Sequence, residues 1–81
     1  MSERGIFLRD VMAAINGGEI IEDYPDNFPF PSCLILGKTG TGHAIHVVVS
    51  RRDDFIYLIT AYFPAPDRWE SDWKTRKDDR I

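Results

Sequence analysis

The sequence has 81 residues, 43% of them hydrophobic and 28% charged, which suits one small globular domain and excludes a disordered chain. The net charge of −3 gives no positive field to attract nucleic acid, which argues against a reader of duplex DNA. The single cysteine, Cys33, excludes an internal disulfide, and no apolar run reaches the ~18 residues of a membrane-spanning helix, so we expect a cytoplasmic protein.

The first predicted element is a helix over Phe7–Asn16. Apolar residues recur at helical spacing along one side of it: Leu8, Val11, Met12 and Ile15. Gly17 and Gly18 follow, and a left-handed glycine there is expected to end the helix. The start of the helix lacks a good cap, because Phe7 stands where Ser, Thr or Asp would accept a backbone hydrogen bond.

Four strands are predicted after this helix: Glu19–Tyr24, Cys33–Lys38, Ala44–Ser50 and Phe55–Phe63. The first strand has mixed polarity, which is typical of the edge of a sheet. Prolines between residues 25 and 32 favour an ordered loop after it. The connectors 39–42 and 51–54 are short enough to force antiparallel hairpins, so the last three strands form a meander.

A second helix is predicted from Asp67 to about Lys77, and Pro66 near its first position favours its start. Trp69 and Trp73 stand one turn apart, as side chains that pack a helix onto a sheet do. The predicted fold is therefore α+β. It is a four-stranded antiparallel meander with an N-terminal and a C-terminal helix, in the order α-β-β-β-β-α, forming one domain over residues 1–81.

The three central strands are apolar on both of their faces. In the third strand, Val47 and Val49 lie on one alternation, while Ala44 and Val48 lie on the other. A sheet covered on one side only would carry polar residues on its second face, and two short helices can cover only one face. The second face is therefore expected to bind a ligand or a partner, or to form the seam of a homodimer.

Two motifs argue against cofactors and metals. Gly37-Lys38-Thr39 resembles the end of a phosphate-binding loop, but Ser32 stands where the first glycine is required, and a strand follows instead of a helix. His43 and His46 are three residues apart, which on a strand sends them to opposite faces. We expect no metal and no cofactor, and we interpret Cys33 as a small buried hydrophobe.

Four polar side chains share one rim of the predicted sheet, because the hairpins return the chain there: Lys38, His43, Tyr62 and Arg68. Metal-free RNA cleavage needs a group that takes the proton of the 2′-hydroxyl, an acid for the leaving oxygen, and cations for the phosphorane charge. These four residue types supply such groups. The same residues also fit a simpler interpretation: solvated Lys38 and Arg68, a turn residue His43 and a packed Tyr62.

His46 lies inside the third predicted strand, where we expect a buried histidine that is hydrogen-bonded to a neighbour. The neighbour depends on the length of the turn at 51–54. A four-residue turn places His46 opposite Ile59, and a shift of one residue places it opposite Thr60 and diagonal to Tyr62. Only the second register joins His46 to the polar rim.

Several motifs occur in a characteristic order along the chain: Gly18-Glu-Ile-Ile-Glu-Asp-Tyr-Pro25, His46-Val-Val-Val49, Ile59-Thr-Ala-Tyr-Phe-Pro64 and Pro66-Asp-Arg-Trp69. Together they resemble the bacterial and archaeal DUF4258 domain, a family of unknown function. Glu3-Arg-Gly-Ile6 and Asp10-Val11 resemble the end of that family's first helix and the start of its second. The resemblance therefore implies a DUF4258-like domain with a shortened N-terminal helix that lacks the family's histidine.

The DUF4258 family has been compared with RelE-type and related small ribonuclease toxins, which use a compact helix-plus-antiparallel-sheet scaffold. On that analogy, the resemblance implies an RNA substrate, an antitoxin-like protein partner, and four site residues: His46, Thr60, Tyr62 and Arg68. Joined with the rim residues, the predicted catalytic set is His46, Tyr62, Thr60 and His43, and the predicted substrate-binding set is Lys38 and Arg68. The alternative is a non-catalytic interaction module that forms a homodimer through its second apolar sheet face.

Overall fold

One antiparallel sheet organises the chain, because short connectors return each strand beside the one before it. The computed structural model describes residues 5–27 and 30–77. Its elements are α1 (Leu8–Gly17), β1 (Glu19–Tyr24), β2 (Ser32–Lys38), β3 (Ala44–Arg52) and β4 (Phe55–Tyr62). The sheet order β1-β2-β3-β4 confirms the predicted meander and makes β1 and β4 its edges. No helix in the described ranges is long and apolar enough to cross a membrane.

Helix α1 lies on one face of the sheet, over β2 and β3. Val11 and Ala14 are buried, and a Cβ atom on Gly37 of β2 would lie only 2.4 Å from the Cβ of Ala14. The helix ends at Gly17, and Gly18 is extended with φ −78°, so the predicted left-handed stop is wrong. A glycine is required at Gly18 because a Cβ there would lie 2.5 Å from the Ala14 carbonyl oxygen.

The carboxylate of Asp10 joins the start of α1 to the β2–β3 connector. Its Oδ2 accepts a hydrogen bond from the Phe7 backbone N–H at 3.3 Å. This bond stabilises the start of the helix, where the Phe7 side chain provides no cap. Its Oδ1 accepts one from the Gly40 N–H at 3.2 Å. Asp10 is buried, and these two hydrogen bonds replace those that its carboxylate would make with water.

The hydrophobic core lies between α1 and the sheet. Its strand residues come from alternate positions and are almost fully buried: Cys33, Ile35, Ile45, Val47, Val49 and Ala61. Each fully buried aliphatic side chain contributes about 1.5–3 kcal/mol. The other alternation of β3 carries His46 and Val48, so the second face holds a buried histidine among its apolar residues.

The β3–β4 hairpin differs from the prediction in its register. The strands meet through a two-residue turn at 53–54, which is shorter than the turn that the sequence suggested. A bulge at Ile59 then shifts the pairing by one residue and places His46 directly opposite Tyr62. Both predicted registers, with His46 opposite Ile59 or Thr60, are therefore wrong.

Residues 64–77, here called the C-terminal strap, do not form the predicted helix. They contain a small hairpin in which Trp69 bridges Arg76. The carboxylate of Asp72 accepts hydrogen bonds from the second and third backbone N–H groups that follow it, each at 3.0 Å. Trp73 has φ +62°. A helix cannot continue through a left-handed residue or through N–H groups that are already bound by a side chain.

The C-terminal strap lies on the second face of the sheet, where Trp69 is buried against it. Two ion pairs tie the strap to β1: Lys74 with Glu19 at 3.3 Å, and Arg76 with Glu22 at 2.7 Å. The chain itself therefore covers part of the face that was expected to bind a ligand or a second copy. A contiguous apolar stretch stays exposed on β4, at residues 55–59.

Candidate functional site

His46 is the centre of the candidate site. It lies on β3, on the second face of the sheet, and its side chain is 0% exposed. Its Nε2 lies 2.7 Å from the carbonyl oxygen of Trp73 in the strap. Because a carbonyl oxygen only accepts hydrogen bonds, Nε2 carries the proton and donates it. The prediction of a buried, hydrogen-bonded histidine is confirmed, and its partner comes from the strap.

The other ring nitrogen of His46, Nδ1, has no hydrogen-bond partner within the described part of the chain. Burial lowers the pKa of His46 below its usual 6.5. The Trp73 carbonyl and the Glu22 carboxylate act in the opposite direction, but their effect is smaller than that of burial. The ring is therefore neutral at neutral pH and keeps a lone pair on Nδ1. Buried polar atoms are nearly always paired, so an unpaired one marks a candidate for proton transfer.

Two aromatic rings enclose the imidazole of His46. Tyr62 lies opposite on β4, with the ring centroids 5.5 Å apart. Trp69 of the strap meets the imidazole edge-on, with centroids 4.4 Å apart and an interplanar angle of 89°. Burial raises the pKa of the Tyr62 hydroxyl. The phenol therefore stays protonated and is able to donate a proton.

A hydrogen-bonded group of Glu22, Tyr24 and Arg76 lies beside this enclosure. Arg76 donates from Nε and Nη2 to the two carboxylate oxygens of Glu22, at 2.7 and 2.9 Å, and the Tyr24 hydroxyl donates to Glu22 Oε1. The bonds from Arg76 lower the pKa of Glu22, and the same bonds raise the pKa of Arg76. The guanidinium carbon also lies 4.6 Å from the centre of the Trp69 ring. A fixed positive charge is thus held against the ring that covers His46.

His43 is separate from His46. It lies exposed in the connector between β2 and β3, and its Nδ1 is 3.1 Å from the Thr41 hydroxyl oxygen. This is the position of a turn residue, the simpler of the two interpretations given for His43. It lines a cavity of about 350 Å³ together with four other residues: Ala44, Phe63, Pro64 and Trp73. Trp73, whose carbonyl binds His46, therefore forms a wall of this cavity.

The remaining predicted residues surround the site without forming one pocket. Thr60 lies two residues before Tyr62 on β4 and shares the second face with it. Lys38 is exposed at the end of β2, at the same rim as His43, and Arg68 is exposed in the strap. Neither Lys38 nor Arg68 lines the cavity beside His43. Lys38 and His43 share a rim of the sheet, and the polar groups centred on His46 lie farther onto the second face.

In residues 5–27 and 30–77, no three His, Cys, Asp or Glu side chains are grouped so that they could hold a metal ion. Cys33 is a free, buried thiol on the helix face, and burial raises its pKa. A thiol with a raised pKa is a poor nucleophile. The chemistry available at the site is therefore proton transfer and charge stabilisation by His46, Tyr62 and Arg76.

Comparison with known proteins agrees with the resemblance seen in the motifs. Residues 1–63 match the family described as Domain of unknown function (DUF4258). The chain belongs to the DUF4258 family. No curated protein and no solved structure matched it. The DUF4258 match includes His46, Thr60 and Tyr62, and it ends just before the strap that packs on His46.

Three parts of this site are absent from the predicted set of site residues: Glu22, the Trp73 carbonyl and Arg76. The alternation of β1 offers a signal for Glu22, because Glu22 and Tyr24 are two residues apart and share a face. No comparable signal exists for Trp73 and Arg76. In the predicted helix, the Trp73 carbonyl would bond within the helix itself and would not reach β3.

Proposed function

We propose that this DUF4258 chain is a toxin-like ribonuclease that cleaves RNA without a metal ion, at the cluster of His46, Tyr62 and Arg76. The unpartnered Nδ1 of His46 carries the proposal. It belongs to a neutral histidine whose single proton is held on the other nitrogen, next to a tyrosine ring and near a guanidinium. The likeness of the family to RelE-type toxins supports the same class of reaction by analogy.

The proposed reaction is an internal transesterification. Nδ1 of His46 takes the proton of a ribose 2′-hydroxyl, and the 2′-oxygen forms a bond to the adjacent phosphorus. The bond between phosphorus and the 5′-oxygen breaks, and the Tyr62 hydroxyl gives its proton to that leaving oxygen. The products are a 2′,3′-cyclic phosphate and a 5′-hydroxyl end. Solvent then takes the proton from the imidazolium and returns one to the tyrosinate.

Arg76 supplies the positive charge that this reaction needs. Negative charge grows on the non-bridging phosphate oxygens in the transition state, and a fixed guanidinium stabilises it. Two of the donors of Arg76 bind Glu22, and a guanidinium has five, so others are available to a phosphate. Glu22 thereby serves as a positioning residue for Arg76.

RNA reaches His46 when the strap loosens enough for the Trp69 ring to move off the imidazole, because the side chain is 0% exposed beneath it. The bonds of Arg76 to Glu22 and of Trp73 to His46 stay in place during this movement. The Lys74–Glu19 pair that helps to hold the strap is exposed, with relative side-chain exposures of 43% and 57%. Exposed ion pairs contribute only about 0–1 kcal/mol each. Segments attached in this way open locally without unfolding the domain.

RNA cleavage by the purified protein, with analysis of the product ends, tests the proposal. The wild type is expected to leave 2′,3′-cyclic phosphates. His46→Ala and Tyr62→Phe are expected to lower the rate by about 10²- to 10⁴-fold. Tyr57→Phe removes the same hydroxyl from an exposed position of β4, outside the site, and is the matched control that keeps the wild-type rate. Circular dichroism checks that each variant is folded.

A Glu19→Gln variant tests the need for strap opening, because it removes the Lys74 ion pair without changing His46, Tyr62 or Arg76. The rate is expected to rise about two- to fivefold, which corresponds to ~0.5–1 kcal/mol. Two results would overturn the proposal: no cleavage by either the wild type or this variant, or cleavage that survives His46→Ala.

The toxin-like function also implies a location and a partner. RNA is available in the cytoplasm, where a single free thiol such as Cys33 stays reduced. The implied partner is an antitoxin-like protein. Growth arrest on expression in bacteria, relieved by His46→Ala, is the expected cellular counterpart of cleavage in vitro.

A non-catalytic protein-interaction module that forms a homodimer is the second candidate function. The run of exposed apolar side chains at residues 55–59 of β4 favours it. Such a module would associate without cleaving RNA, so the two candidates separate in the cleavage assay.

A further inference from the structure

We infer that two copies of this chain associate by antiparallel pairing of their β4 strands. The pairing gives the interaction-module candidate a defined surface. It uses an edge of the sheet and not the second face that the sequence suggested, and it requires no RNA cleavage.

Strand β4 is an edge strand with an apolar surface. It pairs with β3 on one side, and no described strand pairs with its other side. Five consecutive large side chains, at residues 55–59, are between 41% and 65% exposed. Because side chains alternate along a strand, this run is exposed on both faces of the sheet. A contiguous apolar stretch on an unpaired edge is typical of an interface.

The opposite edge, β1, carries charges that β4 lacks. It has three carboxylates, whereas the sequence from Phe55 to Phe63 has no charged residue and no proline. Each edge strand has one bulge, between Ile20 and Glu22 in β1 and at Ile59 in β4. Charges on an edge strand keep it from pairing with other chains. One edge of the sheet is therefore protected by charge, and the other is apolar over residues 55–59.

A second copy of the chain is the occupant that fits this edge. Antiparallel pairing about a two-fold axis places β4 against itself, as the two-fold symmetry of most homodimers requires. With Tyr57 on the axis, Phe55 of one copy lies opposite Ile59 of the other. Ile56 then lies opposite Leu58. Like charges do not meet along this stretch, and aromatic–aliphatic pairs across strands stabilise antiparallel sheets.

The exposed area of β4 matches what a small specific interface needs. Aromatic side chains bury about 150–250 Å² each when fully covered, and aliphatic side chains bury less. Two aromatic and three aliphatic side chains that are about half exposed therefore offer at most on the order of 500 Å² per copy. Two copies would bury about 1,000 Å², which is the lower limit for a specific interface. Interfaces at this lower limit are typically weak, so we expect a dissociation constant on the order of micromolar.

Sedimentation equilibrium from about 1 to about 500 μM measures the association directly. The wild type is expected to change from monomer to dimer in this range, and Ile59→Lys is expected to raise the dissociation constant at least about tenfold. Ile20→Lys is the matched control, because Ile20 lies on β1 and is 55% exposed, against 57% for Ile59. The control variant should dimerise like the wild type. A monomeric wild type, or equal effects of the two substitutions, would overturn the pairing.

A Tyr57→Cys variant keeps the test decisive if Ile59→Lys does not fold. Opposed Cα atoms in an antiparallel pair are about 4.5–5.5 Å apart, which is within reach of a disulfide. Mild oxidation should give a covalent dimer of this variant and none of the wild type, whose Cys33 is buried. A folded Tyr57→Cys protein that stays monomeric under oxidation would overturn the pairing, and a monomer that still cleaves RNA would leave the proposed function intact.

Discussion

At the scale of single residues, His46 holds its proton on Nε2 because the Trp73 carbonyl can only accept a hydrogen bond. A second proton would have to bind at the buried Nδ1, where no described residue offers a partner. The strap therefore determines both the tautomer and the charge of this histidine.

We expect the free energy of unfolding to fall as the pH is lowered from about 7.5 to about 5. In the unfolded chain His46 has its usual pKa of 6.5, and in the folded protein its pKa is lower. The unfolded chain therefore binds more protons between the two values. Stability is complete above the unfolded pKa and is lost as the pH falls toward the folded one. The lowered pKa of Glu22 acts in a separate window, below its usual 4.5.

Urea unfolding at the two pH values measures this effect. A His46→Gln variant should show a smaller change in unfolding free energy between them. The prediction is contradicted if that variant depends on pH as strongly as the wild type does. Titration of the imidazole by NMR gives the pKa of His46 itself.

At the scale of elements, Gly37 and Ala14 set the distance between β2 and α1. A methyl group on Gly37 would lie 2.4 Å from the Ala14 Cβ, so Gly37→Ala forces the helix away from the sheet. The expected cost is about 1–3 kcal/mol of unfolding free energy. Chemical denaturation of the variant and the wild type measures it.

Gly17→Ala is the matched control for this prediction. Gly17 is the last residue of α1, and a Cβ there meets no atom within 4 Å. Alanine favours a helix over glycine by about 0.5–1 kcal/mol, so this variant should be slightly more stable than the wild type. A stability change of the same sign in both variants would show that close packing at Gly37 is not the cause.

The elements that could be predicted are those whose signals are local. Strand β1 begins and ends where the sequence predicts, at Glu19–Tyr24, because polarity and flanking turn residues mark it. The strap could not be predicted, since Trp69 and Trp73 stand at helical spacing while the Asp72 carboxylate binds the N–H groups that a helix would use. The hairpin register depends on the bulge at Ile59, which the turn does not reveal.

The candidate site was predictable to the same limited degree. The burial of His46 follows from its apolar neighbours in β3. Its nearness to Tyr62 was expected only in the second of the two predicted registers, and the observed pairing lies two residues beyond that register. The contact of Arg76 with Glu22 joins positions that are 54 residues apart, and no local pattern indicates it. The site is thus completed by a segment whose fold is set by its own side-chain hydrogen bonds and by the sheet beneath it.

At the scale of the whole molecule, the sheet and the strap differ in how firmly they are held. The sheet is closed by α1 over a continuous core, whereas the strap depends on Trp69 and on ion pairs at its surface. Local opening of the strap should therefore need less free energy than global unfolding.

Hydrogen exchange tests this difference. The N–H groups of Glu70 and Lys77, which bond within the strap at 2.8 and 3.0 Å, should exchange faster than that of Val47 in β3. Raising the salt from about 0.1 to about 1 M shortens the Debye length from about 10 to about 3 Å, and strap exchange should then accelerate about two- to fivefold. Equal exchange rates for strap and sheet would show that the strap opens only when the domain unfolds.

The difference between the two sheet edges also limits how many copies of the chain can join edge to edge. Once β4 of one copy has joined β4 of another, the resulting ribbon of strands ends in β1 on both sides. A third copy would meet the three carboxylates of β1 there. Assembly therefore ends at the dimer. The apolar stretch of β4, which could otherwise start fibril formation, is buried in the dimer interface.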